Sequence, residues 1–234
     1  MKIKGPLITA TFVDRPNRFI TIIKIKNKLY QSHLPDPGRL KELLLPGATL
    51  LVRPAPDGSN RKTKYSTVMV EYNGKLISLV STFPNQFVRK SLEKKEFIFL
   101  NDLTFIRSEI PIKNHRIDFL LKNKKGIPFY LEVKSVTFVE NGIAQFPDAI
   151  TKRGLRHVLL LKQLKNEGAE AGVLFVCQRS DANLFQPMAS RDPAFSNALY
   201  DAYIHGVRVW CITLNIKKTA ITFNKEIPVN LMKF

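Results

Sequence analysis

The chain holds two cysteines, one tryptophan and only 19 acidic residues against 37 basic ones in 234. Cys177 and Cys211 each sit in an apolar strand-like run, Gly172 to Cys177 and Val207 to Leu214, and no paired Cys/His spacing exists for zinc. They read as two reduced core thiols. No apolar run approaches the roughly 18 residues of a membrane span. The start, Met1-Lys2-Ile3-Lys4-Gly5-Pro6, lacks the charged, apolar and small-residue layout of a signal peptide. We therefore expect no membrane partner and a cytoplasmic protein. The shortage of acid leaves a net charge of +18 and an isoelectric point near 10.0. Residues 1–82 hold 14 basic and 5 acidic groups and the rest hold 23 and 14, so the first third is the more densely basic. Such a surface favours polyanions, with a lysine-rich solvated surface as the plain alternative.

What is present reads as two modules. Hydrophobic content of 44% and a mean hydropathy of −0.09 describe a globular chain with ample length for a core. From Leu7 to Phe83 short strands alternate with turns: Leu7–Val13, Phe19–Ile25, Lys28–Ser32, Ala48–Arg53, Thr67–Tyr72 and Lys75–Ser81. Turn signals fall at Asp14-Arg15-Pro16-Asn17, Asn27-Lys28 and Tyr72-Asn73-Gly74. One short helical piece, Leu40–Leu44, follows a proline-stiffened loop. This suits a small Greek-key barrel of the OB type, with an SH3-like barrel as the alternative. A linker near Thr82-Phe83-Pro84-Asn85 divides residues 1–82 from an α/β domain at residues 83–234. There the order is helix Asn85–Lys94, strands Phe105–Ile112, Arg116–Lys122 and Phe129–Val133, then a loop from Ser135 to Pro147. A long helix from Asp148, read as its N-cap, runs to about Asn166. Strand Ala171–Cys177, helix Pro193–His205 and strand Val207–Leu214 complete it.

The chemistry centres on Arg116-Ile117-Asp118-Phe119-Leu120-Leu121 and Phe129-Tyr130-Leu131-Glu132-Val133-Lys134. Alternation on a strand puts Glu132 and Lys134 on one face and turns Leu131 and Val133 to the core. An Asp, thirteen residues, then Glu-Val-Lys is the pattern of the PD-(D/E)XK nucleases, and helix, three strands, helix, strand is their core order. We expect Asp118 and Glu132 to hold magnesium, with manganese as a second candidate and the Val133 carbonyl as a third ligand. Lys134 would orient or deprotonate the attacking water. A structural ion pair of Asp118 with Arg116 or Lys134 is the bland alternative. Glu109 is either a further carboxylate or an exposed edge residue.

Thr151, Lys152, Arg153, Arg156 and His157 make a polar cluster early in the long helix. Cations are disfavoured at a helix N-terminus, so contact with a phosphate beside the metal explains them better than a solvated face. His157 is as readily a packing residue as a base, and Gln145 lies within reach of the site. In the first module Arg15, Arg18, Arg39, Arg61 and Lys62 lie in turns and loops, among aromatics such as Phe12, Phe19, Tyr30 and Tyr65 that are mostly core. Arg39, held by Pro37-Gly38, is the one best placed for a phosphate, unless it pairs with Glu42.

Several blocks carry a further signal: His33-Leu34-Pro35-Asp36-Pro37-Gly38-Arg39-Leu40-Lys41-Glu42-Leu43-Leu44, Arg61-Lys62-Thr63, Arg116-Ile117-Asp118-Phe119-Leu120, Glu132-Val133-Lys134-Ser135-Val136-Thr137, Phe146 through His157, and Gly206-Val207. Across most of the chain they resemble the sugar fermentation stimulation protein family, A type. The resemblance implies an OB-like domain joined to a nuclease-like domain, binding to DNA (double-stranded, with little sequence preference), and a regulatory role at sugar (maltose) metabolism genes. Many relatives carry Asn-Thr where this chain has Asp36-Pro37, which adds a negative charge and stiffens the loop. Two functions follow as expectations: a magnesium-dependent DNA endonuclease, or a DNA-binding regulator that does not cut. An RNA- or sugar-binding OB protein would leave the carboxylate pair unexplained. Oligomeric state stays open, a dimer being one option.

Overall fold

Two hairpin turns of the same kind shape the first half of the chain. Lys26-Asn27 and Asn73-Gly74 each have φ > 0 at both positions (47° and 65°, 49° and 70°), the backbone of a type I′ turn. In the computed structural model, which describes residues 1–233, they join β2 (Ile20–Ile25) to β3 (Lys28–His33) and β5 (Tyr65–Tyr72) to β6 (Lys75–Ser78). With β1 (Ile8–Asn17) and β4 (Thr49–Pro54) the order is β3-β2-β1-β4-β5-β6. Parallel pairing of β3 with β5, at Ser32↔Tyr65 and His33↔Ser66, closes the first five strands into an OB-like barrel. At the closure the buried hydroxyls of Thr21 and Ser32 both lie 2.9 Å from that of Thr67, so no polar group is stranded there.

Two expectations fail in this half. Asp14–Asn17 is not a turn: β1 continues to Asn17, and register shifts at Phe12/Asp14 and Asp14/Asn17 absorb Pro16, which donates no ladder bond. Leu40–Leu44 is a single turn rather than a helix, with the amides of Leu43 and Leu44 both donating to the Leu40 carbonyl. Leu40 itself has φ +51°, which a helix does not admit.

Strands β4 and β5 bury both faces. Leu50, Val52 and Val70 fill the barrel with Phe12, Ile23 and Leu34, while Leu51, Val68 and Met69 point outward. Two-sided burial gives a continuous apolar run instead of alternation. The outward residues join Phe83, Phe87 and Val88 of α1 (Phe83–Glu93) in a core shared with the second half. Each fully buried side chain of this size contributes about 1.5–3 kcal/mol, so the barrel is welded to the α/β domain rather than tethered to it.

That domain is built on the sheet β15-β14-β12-β9-β8-β7. Strands β7 (Leu103–Ile112), β8 (His115–Asn123) and β9 (Pro128–Val136) form an antiparallel meander. After β10 (Val139–Glu140) and β11 (Ile143–Phe146), helix α2 (Lys152–Asn166) crosses to β12 (Glu170–Cys177), parallel to β9. β13 (Leu184–Pro187) pairs with β11 in a small side sheet, α3 (Pro193–Ile204) leads to β14 (Arg208–Ile216), and β15 (Ile221–Ile227) returns antiparallel. Leu131, Val133, Leu174 and Ile212 face the barrel side, while Val173, Phe175 and Cys211 face α2 and α3. Both cysteines are buried and free. No helix among the described residues is long and apolar enough to cross a membrane.

The expected loop from Ser135 to Pro147 therefore contains β10 and β11, strands too short for periodicity to register. Helix α2 begins three residues later than expected. Its cap is Thr151, whose Oγ1 accepts from the Gly154 amide at 3.0 Å. Asp148 instead accepts from the Arg39 amide, at 2.6 Å, across to the barrel.

Candidate active site

The antiparallel ladder between β8 and β9 runs from Lys122↔Pro128 to Phe119↔Leu131 and stops there. Just past it Asp118 intervenes: its Oδ2 accepts from the Val133 amide at 2.7 Å, and its Oδ1 accepts from Asn85 Nδ2 at 2.6 Å. Glu132 lies in register with Val173 and so faces α2. Only 3% of it is exposed, and its Oε1 accepts from Lys134 Nζ at 2.5 Å and from His157 Nδ1. Its second oxygen, Oε2, is buried with no hydrogen-bond partner. Asp118, Glu132, Val133 and Lys134 line one cleft of about 240 Å³ with Asn85, Thr151, Arg153 and Gly154.

Burial, then the neighbouring charge of Glu132, pushes the Asp118 carboxyl up to about 7, against the pull of the Val133 amide and Lys134. Burial acts the same way on Glu132, but Lys134 and the His157 hydrogen bond outweigh it and hold that carboxyl below its usual range. Two carboxylates forced together, one with a buried orphan oxygen, form a donor set suited to a hard divalent cation. Two carboxylates are the whole of that set: among the described residues no trio of His, Cys, Asp or Glu side chains is arranged to hold a metal.

The expected site residues divide. Asp118, Glu132, Val133 and Lys134 come together, with Arg153 at the rim. Glu109 does not join them: it sits at φ +59° in β7, about half exposed, with Oε2 2.5 Å from Arg116 Nε. That pair also removes Arg116 as a partner for Asp118. Arg156 turns away from the carboxylates into a groove with His115 and Lys113. Lys152 and Gln145 line a neighbouring cleft, together with Arg18.

On the barrel, Arg15 is occupied by its own loops, its Nη1 donating to the Arg39 carbonyl at 2.6 Å and Nη2 to that of Arg18 at 2.8 Å. Arg18 lies 5.9 Å over the half-exposed ring of Phe19. Arg39 is exposed and makes no ion pair with Glu42; its backbone, not its side chain, ties the loop to Asp148. Gly38 is required there, since a Cβ would fall 2.6 Å from Asp148 Oδ2. Arg61 and Lys62 are exposed in the loop before β5, Arg61 donating to Ser66. Asn85 was missed because it read as linker; only its place in the first turn of α1 hinted at a role.

A closed OB-like barrel fused through a shared core to an α/β domain, with a carboxylate pair at its sheet, defines the class of protein. Two family models match the chain in that order: "SfsA N-terminal OB domain" over residues 13–79 and "Sugar fermentation stimulation protein RE domain" over residues 82–220. The chain belongs to the sugar fermentation stimulation protein family. It is 39% identical over 231 residues to a sugar fermentation stimulation protein homolog of Clostridium tetani, covering 99% of this chain and 100% of that one. A Clostridium acetobutylicum homolog is 38% identical over the same shares. The solved structure of Pyrococcus furiosus SfsA in complex with Ca2+ is 27% identical, has a TM-score of 0.88 and covers 98% of both chains.

Proposed function

We propose that this chain binds DNA and hydrolyses its phosphodiester backbone with a divalent cation, magnesium by preference, held by Asp118, Glu132 and the Val133 carbonyl. One observation carries the reading: a buried carboxylate oxygen, Glu132 Oε2, is left without a partner beside a second carboxylate, in a chain of net charge +18. A protein that only gripped polyanions would gain nothing from an acidic pair at that place. The Ca2+ complex of the Pyrococcus furiosus relative agrees with oxygen ligation by a hard cation.

When bound, such a cation polarises the phosphate and acidifies water. The chain's own residues do the rest. Lys134, poised on Glu132, donates to the phosphoryl oxygens on which charge develops, or orients the attacking water. Arg153, exposed at the rim, holds a phosphate oxygen of the strand. His157 fixes Glu132 from behind and leaves Oε2 without a partner. The shared apolar core keeps the barrel's exposed cations, Arg18, Arg39, Arg61 and Lys62, in fixed relation to the cleft, so both halves engage one DNA molecule.

The test is cleavage of supercoiled, linear and branched DNA by the purified chain with magnesium, manganese or EDTA, alongside Lys134→Ala. Metal-dependent cutting that disappears in the variant supports the reading. Binding without cutting, equal in both proteins, leaves a DNA-binding regulator on a nuclease fold.

A further inference from the structure

We propose that the larger cleft beside the carboxylate pair seats one unstacked nucleotide of the bound strand, with Phe138 as the ring on which its base stacks. The inference rests on the DNA reading above and adds where, and in what form, a base meets this chain.

The cleft, about 520 Å³, lies between the barrel loop at Asp36–Gly38 and the β9–β11 region. It shares Thr151 and Arg153 with the carboxylate cleft, so a strand whose phosphate lies at one has its neighbouring nucleotide at the other. Phe138 is the unusual wall. Its ring is partly buried, yet it belongs to none of the three apolar cores and contacts no other ring among the described residues. Large aromatic side chains ordinarily find a core; one left on a cleft wall next to cations is a stacking surface.

The polar lining fits a base. The side-chain amide of Gln145 and the hydroxyl of Thr137 both border the cleft and make no hydrogen bond among the described residues. An amide offers donors and an acceptor together, the inventory needed for a base edge. Arg18, Lys152 and Arg153 stand around the cleft for the flanking phosphates. Asp36 and Asp148 also line it, but each already accepts a backbone amide, from Gly38 at 2.8 Å and Arg39 at 2.6 Å. A space of this size admits a nucleotide and excludes a base pair with its backbones, so the preferred substrate is DNA with a base free to leave the stack.

The full chain is tested in EDTA, where no cutting occurs, with Phe138→Trp and Phe138→Ala. Single-stranded DNA should quench the fluorescence of Phe138→Trp, whereas an abasic oligomer of equal length should bind without that quench. Phe138→Ala should bind single-stranded DNA roughly tenfold more weakly, the loss of one stacked base, and bind the abasic oligomer as the unmodified chain does. DNA binding with no quench, or an Ala variant of undiminished affinity, overturns the nucleotide seat and leaves the DNA reading intact. No DNA binding by the unmodified chain overturns both. Quenching by a deoxynucleoside monophosphate at the same concentrations as by the strand assigns the cleft to a free nucleotide and overturns the strand assignment.

Discussion

His157 on α2 and Lys134 on β9 reach the same oxygen of Glu132, one from the core and one from the cleft. Oε1 is thereby doubly satisfied while Oε2 has nothing. The asymmetry orients the carboxylate and leaves one of its oxygens without a partner.

Removing the inner partner should therefore be felt as stability. His157→Ala withdraws one of two donors from a buried charge, and we expect a loss of about 2 kcal/mol, nearer the cost of a charged hydrogen bond than that of a whole buried pair because Lys134 remains. Urea denaturation near pH 7 measures it; an unchanged midpoint would show that His157 does not hold Glu132.

Asp118→Ala should weaken magnesium or manganese binding at least tenfold, read by titration calorimetry. DNA affinity in EDTA should hold or rise, since a negative charge has been taken from beside the phosphates. Unaltered metal affinity would take Asp118 out of the site.

The two arginines of α2 separate on geometry. Arg153 stands at the cleft and Arg156 in the groove with His115. Arg153→Ala should weaken DNA binding and reduce the salt slope by about one, whereas Arg156→Ala should do less of both. Binding isotherms across a salt series decide this, and equal losses would mean that the DNA path covers the groove as well.

The loop carries a pH dependence. Burial, with Asp148 adding to it, pushes the Asp36 carboxyl from 3.8 up to about 6 despite the Gly38 amide. The folded chain thus holds a proton that the unfolded chain releases, and stability falls as pH rises from about 4 to 6. The shift amounts to about 3 kcal/mol at pH 7. Asp36→Asn keeps an acceptor for Gly38, so it should stabilise the chain at pH 7 by about 1–3 kcal/mol and flatten its melting temperature across that window. A variant that melts in parallel with the parent would place the dependence elsewhere.

Much of this was legible beforehand because it follows from local rules. The hairpin at Asn73-Gly74 needs only its two positive φ values, and the order of strands and helices around Asp118 and Glu132-Val133-Lys134 follows from apolar period. The failures have equally local causes. Asp148 looked like a cap because cap chemistry is a matter of residue type, yet its carboxylate is taken by Arg39, 109 positions away. Pro16 looked like a turn because a ladder bond is impossible there, yet bulges let β1 continue. Nor does residue type show that the Arg15 guanidinium donates to the chain carbonyls of Arg39 and Arg18.

Charge, two-module order, the strand that carries Glu132 and Lys134 on one face, and the family are all readable from the residues alone. Those depend on composition, on alternation along a strand and on motif. Which groups meet is a matter of the fold. It brought Asn85 to Asp118 and His157 to Glu132, sent Glu109 to Arg116, and left Phe138 outside every core. The physical reason is that a side chain's partner is set by how sheets, helices and barrel pack over long sequence separations, and no local period encodes that packing.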